Sequence, residues 1–271
     1  MRAPDSDERR YRRKTVLGLA VVTIGVLALL LVLLVIVVAR LTAVDEPAPQ
    51  RTPPGPVESA PDGSDEQVLE LVRRPMLELP EQAVQPQPIS SDSAEPPIRI
   101  PRVQQQPGDW VPSDTPGTPE GALAQLASLD RTALRGADPS VYTRGFTEGA
   151  EPGAPPADDT GLYSLLRSLR TSAGFEPAGM VPGLNARYQP THGQIKGTAE
   201  NGRFVVTCVL GQFSTDYRGQ VVTAGIGDCQ AMRWNGREWR IAATPLAAPA
   251  PSAWPGSADA VAAGYRDLRE G

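Results

Sequence analysis

The sequence predicts an α+β domain carried behind a single N-terminal transmembrane helix and a proline-rich linker. Three observations predict it. Residues 15–39 form an uninterrupted apolar run; proline recurs through residues 40–117; and after Gly174 the apolar period changes from about 3.6 to two. Helices first and strands after them define the α+β class.

The run TVLGLAVVTIGVLALLLVLLVIVVA at 15–39 carries no charge and no proline. About 20 apolar residues suffice to cross a bilayer, and in lipid only a helix satisfies every backbone group of a lone segment. Arg2, Arg9, Arg10, Arg12, Arg13 and Lys14 precede it, whereas Arg40, Asp45 and Glu46 follow it. That asymmetry predicts a cytoplasmic tail at 1–14, a cell-membrane span and an extracytoplasmic remainder. A cleaved signal peptide fits less well, because its apolar core runs to about 15 residues.

Residues 40–117 read as an extended, partly polyproline extracytoplasmic linker. One island interrupts it, the apolar segment at 66–83, EQVLELVRRPMLELPEQA. Val68, Leu69, Leu71, Val72, Met76, Leu77 and Leu79 suit either a short helical turn or a docking segment for the distal domain or a partner. Pro75 stops any long helix there.

The folded domain is expected at 118–271. Thr118-Pro119-Glu120 is a helix start, with cap, first-turn proline and acid in order. Leu123, Leu126, Leu129 and Leu134 then form a stripe. Asp138-Pro139 starts a second short helix. Asp158, Asp159 and the Leu162, Leu165, Leu166, Leu169 spacing mark a third at about 160–173, closed by Gly174. Strands are expected near 186–189, 192–198, 203–213, 220–234 and 238–243. Asn235-Gly236 signals a two-residue hairpin, with Trp234 and Trp239 flanking it. A short C-terminal helix is expected at about 258–269.

Two cysteines, Cys208 and Cys229, fall on the side predicted to lie outside, where a disulfide persists. If Arg218-Gly219 is a two-residue turn, Tyr217 faces Gln220 and Cys208 faces Cys229. Opposed residues lie about 4.5–5.5 Å apart, within disulfide reach. A longer turn at 214–219 would shift the register and leave two free thiols.

Chemistry is sparse. There is no GxSxG, phosphate-binding glycine loop, HExxH or CxxC. Two cysteines and one histidine, His192, fall short of a conventional zinc site. His192 reads as a surface residue, and Gly225, Gly227 and Gly236 as marks of bulges or close backbone contacts. Asp228, mid-strand, is either an ordinary hydrogen-bonded residue or a carboxylate raised by burial into a base. With no second acid beside it in the sequence, no catalytic residue, cofactor or metal ligand is assigned, and the chain is read as not an enzyme. The charge of −5, with arginines and acids near balance beyond residue 110, excludes a nucleic-acid footprint.

The blocks RPMLELP…AVQPQPIS, TPEGALAQLASLD, TCVLGQ…GIGDCQAMRWNGREWRIA and APSAWPGSADAVAAGYR resemble a family of actinobacterial single-pass membrane proteins with no established activity. Members accompany genes for conjugation-like ATPases, and the likeness covers roughly residues 66–271. At the level of fold, the helix and strand order is similar to the outer domains of type IV secretion and conjugation assembly subunits. Those are ketosteroid-isomerase-like cones, about three helices packed on a curved antiparallel sheet. The resemblance implies a non-enzymatic, membrane-anchored assembly component, held through 15–39 and partnered by other subunits of an envelope complex or by further copies of itself. The alternative is an extracytoplasmic ligand-binding or sensing domain that uses the cone's cavity.

Overall fold

The computed structural model describes residues 64–91, 95–103, 110, 112 and 115–271, all within one compact unit. The element order is α1 (Asp65–Arg73), β1 (Ile98–Ile100), α2 (Pro119–Ala133), α3 (Pro139–Glu148), α4 (Gly161–Ser172), β2 (Leu184–Ala199), β3 (Phe204–Tyr217), β4 (Gln220–Trp234), β5 (Trp239–Ile241), α5 (Ala258–Ala262) and β6 (Arg266–Glu270). The six strands form one sheet in the order β1-β6-β2-β3-β4-β5.

Local chemistry sets the helix starts. Thr118, Asp138 and Thr160 each accept a first-turn backbone N–H, from Gly121, Ser140 and Tyr163 respectively. The helices α2, α3 and α4 cover one face of the sheet. Their Leu123, Leu126, Tyr142, Phe146, Leu162 and Leu166 meet Val205, Val209, Phe213, Ile226 and Met232. In β2 the register shifts between Pro190 and His192 and again between Ile195 and Gly197, and such bulges bend a strand.

The α+β class stands, but the expected architecture needs correction in four places. First, the sheet is mixed: β1 runs parallel to β6, and the other pairings are antiparallel. Second, the proposed linker is in part structural. Val68, Leu71 and Val72 of α1 are buried against Phe204, Val206 and Ala231 on the second face, and Ile98 and Ile100 join the core. That face is apolar on β3 and β4 and must be covered. Third, the C-terminal helix is only five residues long, because Gly264 takes φ +87 and the chain continues as β6.

The fourth correction concerns the membrane. No helix among the described residues is long and apolar enough to cross a bilayer. The longest, α2, has 15 residues, about 22 Å at the α-helical rise, and it carries Gln125 and Asp130. The apolar run at 15–39, with the tail at 1–14, lies outside the described residues.

Smaller differences have local causes. The loop after Trp234 has four residues, since Trp234 pairs with Trp239. The Asn235 side chain accepts the N–H groups of both Arg237 and Glu238 and so widens the turn. Arg170, a residue not on the expected stripe, is buried. It donates to the carbonyls of Ala137, Glu176 and Gly179 at 2.7, 2.9 and 2.7 Å. It thereby ties α4 to the loops on either side.

The hairpin β3–β4 turns at Arg218-Gly219, placing Tyr217 opposite Gln220 and Cys208 opposite Cys229. The two cysteines form a disulfide on the second face.

Two outcomes test this account in urea denaturation of the full chain. Replacing both cysteines by alanine opens a loop with a sequence separation of 21, at a cost of about 3 kcal/mol. Arg170→Ala strands three carbonyls and costs about 3–5 kcal/mol. Arg170→Lys recovers little of that, because an ammonium lacks the planar fork.

Candidate functional site

The candidate site is built on β4, whose residues alternate between faces. Ile226, Asp228, Gln230 and Met232 face the helices, whereas Cys229 and Ala231 face the second layer. Asp228 is 8 % exposed. Its carboxylate accepts from Gln230 Nε2, at 3.1 and 3.0 Å to its two oxygens, and from the Cys229 backbone N–H.

A second carboxylate lies within its field. Asp130, on α2, is 1 % exposed. Burial first, and then the charge of Asp228, hold its carboxyl well above the usual carboxylate range. Burial also lifts Asp228, to about 6, against the support of its two hydrogen bonds. Because Asp228 keeps those donors, it is the member of the pair that ionises first. Asp130 Oδ2 has no hydrogen-bond partner among the described residues.

Two phenols complete the cluster. The Tyr188 hydroxyl donates to the Ile226 carbonyl at 2.9 Å. The Tyr142 hydroxyl makes no hydrogen bond of normal geometry; Thr160 beside it donates its own hydroxyl to the Ala157 carbonyl at 2.7 Å. Burial pushes both phenols up, with the two carboxylates adding to the effect. Neither phenol ionises near neutral pH.

Beside Asp228 a cavity of about 580 Å³ opens between the start of α4, the outer edge of β4 and a strap at 246–252. Leu162, Leu165, Ile226, Leu246 and Ala247 make it largely apolar; Asp228, Gln230, Thr160 and Ser252 are polar points, and the exposed Arg73 and Asp159 also line it. The strap approaches β4 closely because Gly225 and Gly227 lack side chains. A Cβ on Gly227 would lie 2.6 Å from the Pro251 carbonyl oxygen, and one on Gly225 would collide with that of Ala253. The strap is anchored by three bonds. Gly227 N–H donates to Ser252 Oγ (3.1 Å), Tyr265 Oη to the Pro251 carbonyl (2.9 Å), and Ala248 N–H to the Val72 carbonyl (3.0 Å).

Of the residues weighed from sequence, Asp228 lies in this site and Cys229 lines the cavity from the second face. Gly225 and Gly227 are close-contact glycines. His192 lies elsewhere, with Nε2 3.0 Å from Asp267 Oδ1; burial lowers its pKa and Asp267 opposes that. Gly236 sits in its turn with φ +99. No group of three metal-ligating side chains occurs among the described residues. Sequence reasoning missed Asp130, Tyr142 and Tyr188. The spacing of Asp130 from Leu123 and Leu126, seven and four residues, puts it on the buried helix face and was the available signal.

Comparison with known proteins adds nothing to this geometry. No protein-family model, curated protein or solved structure matches the chain.

The carboxylates give a pH signature. A carboxyl raised on folding holds its proton more tightly in the native state, so its favourable contribution is present below the unfolded pKa and is lost as pH rises through the folded value. For Asp228 that window runs from about 4 to above about 6, and is worth up to about 3 kcal/mol. Asp130 extends the loss to higher pH. Urea midpoints measured from pH 4.5 to 7.5 are expected to fall, and Asp130→Asn is expected to flatten the fall and to stabilise the chain at pH 7.5.

Proposed function

We propose that this chain is a ligand-binding module of an oxidising, extracytoplasmic compartment, and that its ligand occupies the cavity beside Asp228. The observation that carries the reading is the cavity itself. A hollow of about 580 Å³, apolar on most sides with a few convergent polar groups, has the size and lining of small-molecule sites. A scaffold with no ligand would gain stability by filling it with large side chains. The disulfide supports the compartment, since such bonds persist where thiols are not kept reduced. Binding is the reading that the largely apolar lining supports.

A second reading, an assembly subunit of an envelope complex, draws on the tip of the β3–β4 hairpin. There Val221 and Val222 are 65 % and 67 % exposed, a pair of large apolar side chains in water. Pull-down of the full chain with and without Val221→Ser/Val222→Ser tests it: a partner lost with the valines supports it, and an unchanged set of partners removes it.

The ligand reading is tested with Nile red, a neutral apolar fluorophore. The full chain is expected to enhance its emission saturably at one equivalent, and Leu165→Trp, which fills the cavity from α4, is expected to weaken binding at least tenfold. Equal binding by wild type and Leu165→Trp overturns the reading.

A further inference from the structure

We propose that the cavity takes an organic amine, with its cationic nitrogen on the Asp228 carboxylate and its apolar body against Leu162, Leu165 and Leu246. This rests on the ligand-binding reading above and adds the class of ligand.

The argument starts from an imbalance of charge. Buried carboxylates in proteins are ordinarily paired with a cation. Among the described residues no arginine, lysine or histidine pairs with Asp228 or Asp130. Nor is Asp228 sealed off: it lines the cavity, whose other walls are mostly apolar. A carboxylate accepts about four hydrogen bonds. Gln230 and the Cys229 N–H are the donors the fold supplies. An ammonium group brings both the missing charge and further donors. A carboxylate or phosphate ligand would meet a second negative charge in a poorly screened space, and a neutral one would leave the imbalance as it is.

The surrounding groups do not offset this preference. Asp130 faces Asp228 from α2, Tyr142 from α3, Tyr188 from β2 and Tyr265 from the second layer; the phenols stay neutral, and Asp130 adds negative character whenever it ionises. Arg73 and Asp159, of opposite charge, also line the cavity, but both are exposed and their charges are screened by water. Leu162, Leu165 and Leu246 call for hydrocarbon on the ligand, at about 25 cal/mol per Å² covered.

The test uses three probes that differ only in the head group: 4-phenylbutylamine, 4-phenylbutanol and 4-phenylbutyrate, titrated into the full chain by calorimetry at pH 7.5. The amine is expected to bind at least tenfold tighter than the alcohol, and the butyrate most weakly. Asp228→Asn, which keeps the side chain's shape, is expected to level the amine with the alcohol. With Asp228 titrating at about 6, lowering the pH to 5 is expected to weaken the amine about tenfold and to leave the alcohol unchanged. Equal affinities for amine and alcohol at pH 7.5 overturn the amine assignment while the cavity reading survives. Failure of all three probes, together with Nile red, overturns both.

Discussion

The constraint on which this fold depends is that β3 has no free face. From Phe204 to Gly211 every residue is buried. Val205 and Val209 point at the helices, while Phe204, Val206, Cys208 and Leu210 point the other way. One layer of helices satisfies only half of such a strand. The other half recruits α1 from before the sheet and residues 245–265 from after it. The three-layer arrangement, the Gly225 and Gly227 contacts and the place of the strap all follow from covering that second face.

The sequence carried this requirement in plain form. FVVTCVLG is a near-continuous apolar run, the pattern of a strand buried on both sides, whereas alternation marks a strand wet on one side. The recurrence of proline led to reading 40–117 as a spacer. The amphipathic stripe of Val68, Leu71 and Val72 was visible in it, but nothing local says which surface a stripe meets. Helix starts were readable because caps act within one turn, and the β3–β4 register because a two-residue turn fixes every pair beyond it. The mixed edge was not readable. β1 and β6 are three and five residues long and meet across more than 160 positions.

The site was half legible for the same reason. Asp228 stood out as a charge within a strand, but its partner lies on another element nearly a hundred residues away. Asp130 and Arg170 both fall at helical spacing from buried leucines, so the burial of each was readable, while its purpose was not. The two then part ways. Arg170 is fully served by three carbonyls and holds loops together. Asp130 lacks a partner for one oxygen and leaves the interior beside the cavity under-neutralised. Stability alone would favour an apolar residue at Asp130, which is the usual mark of a position kept for something other than packing.

The anchoring of the strap has a mechanical corollary. Val72, the last buried residue of α1, accepts the N–H of Ala248, and Ala248 is part of the cavity wall. A pull on α1 therefore bears on the cavity wall through that bond and, at the same time, on Phe204, Val206 and Ala231 of the β3–β4 hairpin, against which α1 packs. The pocket's rim and the sheet behind it are thereby loaded together.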